Sequence, residues 1–472
     1  MLITIKPGYN SFLKLVVSIK ENDISTNAYL YYIMVIPEFS KRGMTMPRLI
    51  IIIIIFISSF FTFAADFIKG ADVSWVPGQE TNGVVFRDSS GVQRDILDIL
   101  KKDYQMNTIR LRVFVNPSDD WGNGLCDISR TVAMAKRVKN AGMQLMLTLH
   151  YSDSWADPGK QNPPAAWKNF TQVQLESAVY NHTKEIMTAL AAEGISPVMV
   201  QIGNETNNGM LWPTGDASKN MKSYANLVSA GHNAVKEISP ETKTVVHLSN
   251  GFDNSLFRWN IGGLTNNKAS FDAIGMSAYP EYAPNTSAKD WQAFNNKVLN
   301  NVKDMITSYK KPVIIAETGM DYREENNCRS MIADMIAKIR AIKDQMGLGV
   351  IYWEPQAGPG YNRGYNLGAW GANGRPTKAL NGFVENVTSS KDQMLKGQAP
   401  NSAIKTRYIN GFTVISLPND FSGSTITLYS TDGKMVYRNP FTKEFRCRLS
   451  KGTYVLYSHY KGLGQAYKIP CY

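Results

Sequence analysis

Two glutamates lie at the carboxyl ends of short apolar runs. Glu205 follows residues 198–204, and Glu317 closes residues 313–317. Such runs are typical of buried parallel strands, whose carboxyl ends meet at one edge of a sheet. Either glutamate alone would more often be a surface or salt-bridged carboxylate, but two at strand ends favour glycosidic bond cleavage. We interpret Glu205 as the general acid/base and Glu317 as the nucleophile, about 5 Å apart as in retaining enzymes.

Polar and aromatic residues stand at or near the other strand ends. Arg110 and Tyr279 are placed to orient Glu317 and keep it ionised, because a nearby cation and a hydrogen bond favour a charged carboxylate. Glu205 must instead hold a raised pKa, to which the charge on Glu317 contributes. Asn204 is placed to bond a sugar hydroxyl. The predicted substrate-binding residues are Trp75, Arg110, His150, Trp155, Asn204, Trp212, His247, Tyr279 and Trp353.

Five tryptophans fall in or beside the predicted loops that follow the strands: Trp75, Trp155, Trp212, Trp353 and Trp370. Flat apolar faces suit stacking against pyranose rings, although core packing is an equally common use of any single tryptophan. Five of them on one face predict an extended groove rather than a closed pocket. An open groove favours cleavage inside a polysaccharide chain.

Metal and cofactor chemistry find little support in the sequence. His150 and His247 lack partners at metal-site spacing, which favours hydrogen bonding to a sugar over metal ligation. The chain has no G-x-S-x-G motif, P-loop or dinucleotide fingerprint. We therefore expect neither a metal nor a cofactor.

From residue 66 onward, short apolar runs alternate with segments of helical periodicity. This alternation predicts parallel strands joined by crossover helices. Glycines at 142 and 194 mark the ends of two predicted helices. Eight such units favour an α/β fold, a (β/α)8 TIM barrel. The predicted strands are residues 68–75, 108–115, 144–150, 198–204, 244–248, 273–278, 313–317 and 349–354.

The ends of the chain differ from this pattern. Residues 46–65 combine Arg48, an apolar run and small residues at Ala64 and Ala65, which predicts a signal peptide cleaved near Ala65 and a secreted or cell-surface protein. The apolar run is too short to span a bilayer, so we expect no transmembrane segment in the mature protein. We divide the chain into an upstream extension (1–45), signal peptide (46–65), catalytic domain (66–387), linker (388–408) and a small C-terminal β-sandwich (409–472).

Composition limits the classes of partner. With 472 residues, of which 43% are hydrophobic, the chain can bury a large core. The net charge of +12 is spread along the sequence, which argues against a nucleic-acid partner. The four cysteines lack zinc-site spacing, and Cys447 and Cys471 are a candidate disulfide in an oxidising compartment. We expect a monomer.

Several motifs resemble glycoside hydrolase family 53, the arabinogalactan endo-β-1,4-galactanases of the clan A retaining glycosidases. They are KGADVS at 69–74, TIRLRV at 108–113, LHYSDSWADP at 149–158, IGNET at 202–206, LWP at 211–213, AETG at 316–319 and YWEP at 352–355. The asparagine-glutamate pair indicates only the clan, whereas the long run at 149–158 is much more specific. The resemblance covers residues 67–383.

This resemblance implies hydrolysis of the β-1,4-galactan of pectic side chains with retention, by Glu205 and Glu317, without a cofactor. It also places Asp72, within the first motif, among the substrate-binding residues. Some relatives bind structural calcium near the last two strands. Here the loop after Glu317 carries Asp321 and Glu324 without a recognisable ligand pattern, so the resemblance does not carry calcium over.

Two questions remain open at the level of sequence. The tail resembles the sorting domains of type IX secretion, which would make the secretion machinery a partner, but a carbohydrate-binding sandwich and an inert cap are alternatives. The barrel also fits an endo-β-glucanase or mannanase of the same clan, or a polysaccharide-binding protein without turnover. The complete carboxylate pair argues against the last.

Overall fold

The computed structural model describes residues 2–5, 13–19, 31–37, 52–53, 67–118, 124–384, 404–409, 412–417, 424–430, 435–460 and 463–471. The chain divides into two units, Met1–Asp66 and Phe67–Tyr472. The first contains an antiparallel sheet of β1 (Leu2–Ile5), β2 (Leu13–Ile19), β3 (Tyr31–Pro37) and β4 (Ile52–Ile53). Apart from β4, the predicted signal peptide at 46–65 lies outside the described residues and stays a prediction.

Eight parallel strands close into a barrel in the second unit, which confirms the predicted fold class. They are β5 (Ile68–Asp72), β6 (Thr108–Val113), β7 (Gln144–Leu149), β8 (Met199–Ile202), β9 (Lys243–Leu248), β10 (Ala273–Ala278), β11 (Val313–Thr318) and β12 (Gly347–Trp353). Each strand pairs with the next along the chain, and β12 pairs with β5. Because all eight are parallel, their carboxyl ends form one rim.

Helices connect the barrel strands and cover their outer face. They are α1 (Val76–Thr81), α2 (Ile96–Tyr104), α3 (Ile128–Asn140), α4 (Gln172–Ala192), α5 (Ala217–Ile238), α6 (Asn254–Asn266), α7 (Trp291–Tyr309), α8 (Glu325–Arg340) and the short α9 (Tyr361–Gly364). Gly142 and Gly194 follow α3 and α4 with φ of +64°, as predicted for helix-ending glycines. None of the helices in the described ranges is long and apolar enough to cross a membrane.

Five strands end earlier than the sequence predicts, namely β5, β6, β7, β8 and β12, and the ends of β5 and β8 matter most for the site. β5 stops at Asp72, because the chain turns there into α1, which begins after Trp75 and has a proline in its first turn. β8 stops at Ile202, because Gly203 adopts φ of +88° and breaks the extended conformation. Trp75 and Asn204, the last residues of the two predicted strands, therefore lie in turns.

The C-terminal residues form two antiparallel sheets, as the all-β prediction requires. One contains β13 (Lys405–Ile409), β14 (Phe412–Ser416) and β17 (Glu444–Cys447), and the other contains β16 (Met435–Pro440), β15 (Thr425–Ser430), β18 (Gly452–Tyr460) and β19 (Leu463–Cys471). Apolar residues from both sheets form one buried cluster that includes Ile415, Leu428 and Leu456. β13 begins inside the predicted linker at 388–408, of which residues 388–403 lie outside the described part.

Candidate active site

A cavity of about 290 Å³ opens at the carboxyl rim of the barrel. Every barrel strand except β9 contributes residues near its carboxyl end or from the loop that follows it. The lining is polar and aromatic, with both predicted catalytic glutamates present. The lining residues are Asp72, Arg110, Arg112, His150, Trp155, Ala156, Asp157, Asn204, Glu205, Tyr279, Tyr282, Glu317, Trp353, Tyr365 and Leu367.

Glu317 lies on β11 and is 6% exposed. One carboxylate oxygen is 2.8 Å from Nη2 of Arg110, and the other accepts a hydrogen bond of 3.2 Å from the Tyr279 hydroxyl. Burial raises the pKa of Glu317, and the cation and the hydroxyl both oppose that rise. The arrangement favours a carboxylate held in a fixed orientation.

Glu205 has a different environment. The residue is half-buried, and its backbone adopts φ of +45°, an uncommon conformation for a side chain with a Cβ. Its Oε1 lies 2.6 Å from the Ser277 hydroxyl. Burial and then the charge of Glu317 raise the pKa of Glu205 to about 8, against the opposing effects of Ser277 and Arg110. Near neutral pH the pair therefore holds its proton on Glu205.

Arg110 connects Glu317 to other polar side chains inside the barrel. Its side chain projects from β6 and is 1% exposed. Beyond Glu317, the guanidinium donates to Asp72 Oδ2 at 2.7 Å, to Gln201 Oε1 at 2.7 Å and to Asn204 Oδ1 at 3.1 Å. A buried guanidinium requires this many acceptors, because each unbonded N–H would carry a desolvation cost. Asp72 thus supports Arg110 from below.

A second buried ion pair, between Arg112 and Glu354, lies next to the aromatic side chains that line the cavity. Arg112, two residues along β6 on the same face, lies 2.5 Å from Glu354. Glu354 also accepts from the backbone N–H of Trp75 at 3.1 Å and from Gln356 at 2.6 Å. The Arg112 guanidinium is 4.3 Å from the centroid of the Trp155 ring, a cation–π distance. The ion pair therefore fixes the position of Trp155.

Four of the five predicted tryptophans separate into two groups. Trp155 and Trp353 line the cavity, with ring centroids 5.9 Å apart. Trp75 is 1% exposed and packs beneath both of them, and Trp370 is 2% exposed and packs against Phe86, so neither presents a face to a sugar. Core packing and the early end of β5 account for this difference.

Trp212 lies beside the site without lining it. Its backbone N–H donates to Gln161 O, and its indole N–H donates to Asn208 O at 2.8 Å. Gln161 in turn donates to the carbonyl oxygens of Asn204 and Glu205. The contacts place Trp212 in the loop that holds the acid/base backbone.

The two predicted histidines occupy different depths. His150 lines the cavity, and its Nδ1 accepts from the backbone N–H of Ala156 at 3.1 Å. His247 is 0% exposed and lies behind Glu205, between Asn204 and Ser277. Burial, followed by nearby positive charge, holds the pKa of both histidines well below the usual range, so both rings are neutral. His247 therefore supports Glu205 from the barrel interior.

Several lining residues are absent from the set predicted from sequence: Asp157, Tyr282, Tyr365 and Leu367, together with Ser277 behind Glu205. The sequence does contain an indication for Ser277, because this residue lies two positions before Tyr279 and therefore shares its strand face. Tyr282 and Tyr365 come from loops, whose conformation no periodicity indicates. Across the described ranges, no three His, Cys, Asp or Glu side chains are grouped to hold a metal ion.

Known proteins are similar to this chain in both sequence and fold. The family model described as glycosyl hydrolase family 53 matches residues 68–394. A probable arabinogalactan endo-beta-1,4-galactanase A of Neosartorya fischeri is 33% identical over 312 residues, which cover 61% of this chain and 83% of the relative. An endo-beta-1,4-galactanase of Bacillus subtilis is 31% identical over 315 residues, which cover 61% and 70%.

Solved structures give the same result. The GH53 catalytic domain of Ignisphaera aggregans superimposes with a TM-score of 0.60 at 33% sequence identity, over 67% of this chain and 95% of that domain. A fungal beta-1,4-galactanase superimposes with a TM-score of 0.60 at 27% identity, over 67% and 98%. Residues 68–394, which the family model matches, include the whole barrel and its carboxyl rim.

Proposed function

Because the chain belongs to glycosyl hydrolase family 53, we propose that it is a secreted arabinogalactan endo-β-1,4-galactanase that uses Glu205 as acid/base and Glu317 as nucleophile. One observation carries the assignment of roles. Two carboxyl groups share one cavity, and of these two only Glu317 contacts Arg110 and Tyr279, whereas Glu205 accepts a hydrogen bond from the neutral hydroxyl of Ser277. The same pair of groups thus offers an anion and an acid at one pH.

The reaction proceeds by double displacement. Glu317 attacks the anomeric carbon while Glu205 protonates the leaving oxygen, which gives a galactosyl-enzyme ester. Glu205, now ionised, takes a proton from water, and that water hydrolyses the ester with net retention. A separation of about 5 Å between the two carboxyl groups is the geometric prediction of this mechanism.

The cavity walls supply binding surfaces for a polysaccharide. Trp155 and Trp353 offer apolar faces beside the two glutamates, and Tyr282, 63% exposed, extends that surface outward. Asn204 lies next to Glu205 with its amide nitrogen 2.9 Å from Ala156 O. Relatives named for β-1,4-galactan support that polymer as the substrate, which in plants forms side chains of pectin.

A polysaccharide panel tests the substrate. Purified protein is incubated with unbranched β-1,4-galactan, β-1,4-glucan and β-1,4-mannan, and reducing ends and product lengths are followed. Rapid shortening of galactan alone is the expected result. Cleavage of glucan or mannan in preference to galactan would move the assignment to another activity of the clan, and tight binding to galactan without any cleavage would overturn the enzymatic assignment.

Secretion and the role of the tail form a separate proposal. An N-terminal signal at 46–65 directs export, and the C-terminal sheets act as a sorting domain for the secretion machinery. Support comes from the sequence motifs and from the tail having its own apolar cluster, with Leu428 and Leu456 fully buried. Deletion of residues 409–472 in the native host is expected to retain the enzyme inside the cell. Normal export of the deletion protein would exclude sorting.

A further inference from the structure

The hydroxyl of Ser277 lies between two titratable groups. Its Oγ is 2.6 Å from Glu205 Oε1 and 2.9 Å from His247 Nε2. The pairing of β10 with β11 shifts register between Met276 and Ser277, so that Ser277 pairs with Glu317 on the neighbouring strand. A hydroxyl carries one proton, so Ser277 can donate to only one of these neighbours and must accept from the other.

The other side of the His247 ring faces a similar choice. Nδ1 lies 3.4 Å from the backbone N–H of Glu205 and 3.1 Å from Oδ1 of Asn204. The amide nitrogen of Asn204 donates a hydrogen bond to Ala156 O, so the Asn204 atom near Nδ1 must be the oxygen. Nδ1 therefore has both a donor and an acceptor within reach. A neutral imidazole carries one proton, so each of its two tautomers finds partners for both nitrogens.

Two complete hydrogen-bond arrangements follow. When Glu205 is ionised, Ser277 donates to it, His247 Nε2–H donates to Ser277, and the bare Nδ1 accepts from the backbone of Glu205. When Glu205 is protonated, it donates to Ser277, Ser277 donates to the bare Nε2, and Nδ1–H donates to Asn204. From the first arrangement to the second, the Nε2 proton passes to Ser277 and the Ser277 proton passes to Glu205, while Nδ1 takes one proton from water, so the net change is the uptake of a single proton.

We propose that Ser277 and His247 are positioning residues that form a reversible hydrogen-bond chain, in which the His247 tautomer follows the protonation state of Glu205. The inference rests on the proposed acid/base role and deepens it, because that role requires Glu205 to be stable both as an acid and as a carboxylate within each turnover. A side chain with a fixed donor would favour one of the two states.

Neighbouring groups keep the His247 imidazole of the hydrogen-bond chain in its neutral form. Arg110 faces His247 from β6, and its positive charge disfavours an imidazolium, while the neutral ring of His150 faces His247 from the end of β7. Glu205 is faced by Glu317, Arg110 and Asp157. Because His247 is buried and close to Arg110, the ring answers a change at Glu205 by exchanging tautomers and not by taking up charge.

Nitrogen-15 NMR of the full-length protein labelled at histidine tests the proposal directly. The chain has only five histidines, and the His247→Gln variant identifies the His247 resonances by their absence. A bare imidazole nitrogen resonates far from a protonated one, so the tautomer is read at each pH. We expect the Nδ1–H tautomer at low pH and the Nε2–H tautomer at high pH, with a midpoint equal to the basic limb of kcat/KM.

Two variants serve as controls. In Glu205→Gln the titrating group is gone, and in Ser277→Ala the connection is gone, so His247 should keep one tautomer at every pH in both proteins. A single tautomer throughout in the unaltered protein, or a switch that persists in Ser277→Ala, would overturn the proposal. The NMR measurement needs no substrate. A protein that switches tautomer but does not cleave galactan would therefore contradict the proposed function alone.

Discussion

The guanidinium of Arg110 lies against Glu317, and at the residue scale this contact separates the roles of the two glutamates. Burial raises the pKa of both carboxyl groups, but the cation makes Glu317 the one that ionises first. Activity should require an ionised Glu317 and a protonated Glu205. The rate is therefore lost as pH falls through the pKa of Glu317 and as pH rises through that of Glu205, which gives a bell-shaped profile.

Replacing Tyr279 with phenylalanine tests the acid limb. The change removes the 3.2 Å hydrogen bond that favours the charged form of Glu317, so its pKa rises and the acid limb of kcat/KM moves to higher pH, by up to about one unit. We expect kcat to fall about tenfold. The matched control is Tyr282→Phe, in a neighbouring exposed residue, which should leave the limb in place. An unshifted limb in Tyr279→Phe would contradict the assigned contact.

Substrates with different leaving groups separate the two glutamates. Glu317→Gln should lose cleavage of both galactan and an activated aryl β-galactoside by about a thousandfold or more, because no ester can form. Glu205→Gln should lose galactan cleavage to a similar degree yet still release a burst of the aryl alcohol, since an activated leaving group needs little protonation. Circular dichroism would verify folding. A burst in Glu317→Gln and none in Glu205→Gln would reverse the assignment.

At the scale of elements, strand ends explain both what could be predicted and what could not. Alternation along β6 placed Arg110 and Arg112 on one inward face, and the parallel arrangement brought Glu317 and Tyr279 to the same rim. Trp75 is buried in the turn after β5, although its position at the end of an apolar run is typical of a residue at a strand end. Loop conformations depend on side-chain contacts made only in the folded molecule, so periodicity gives no account of them.

Gly203 tests how the turn after β8 places Asn204 and Glu205. Its φ is +88°, and an added Cβ would lie 2.5 Å from Cγ2 of Thr206. Gly203→Ala should lower the free energy of unfolding by about 2–4 kcal/mol, the sum of left-handed strain and the clash. We also expect kcat to fall at least tenfold, because misplacing a catalytic group costs activity beyond stability.

Gly83 provides the matched control for that substitution. Its φ is +79°, and no atom lies within 4 Å of an added Cβ. Gly83→Ala should therefore cost only the conformational strain, about 1–2 kcal/mol, with kcat unchanged. Urea unfolding and kcat on galactan are measured for both variants. Equal losses of stability and activity in the two proteins would mean that the turn geometry at 203 does not determine the position of Glu205.

At the scale of the whole molecule, the barrel and the C-terminal tail have separate buried clusters among the described residues, of which two are the most informative. The larger contains helix and strand residues from Ala71 to Phe383, and the smaller contains tail residues from Ile415 to Ile469, with no residue in common. Eight repeats of one pattern made the barrel predictable, because each repeat carries the same signal. The sequence predicts a linker where most of β13 lies, because a short edge strand rich in polar residues has the composition of a linker.

Separate cores predict separate stability. A chain that ends at residue 387 should keep kcat and KM on galactan within about twofold and the barrel's thermal midpoint within a few degrees, because the catalytic groups and their supports all precede that point. In the full chain, Leu428→Ala should destabilise the tail by about 2–5 kcal/mol through a cavity in its core and leave activity unchanged. Calorimetry would resolve the two transitions. Loss of galactan cleavage in the shortened chain, with the barrel still folded, would require the tail to take part in binding the polysaccharide.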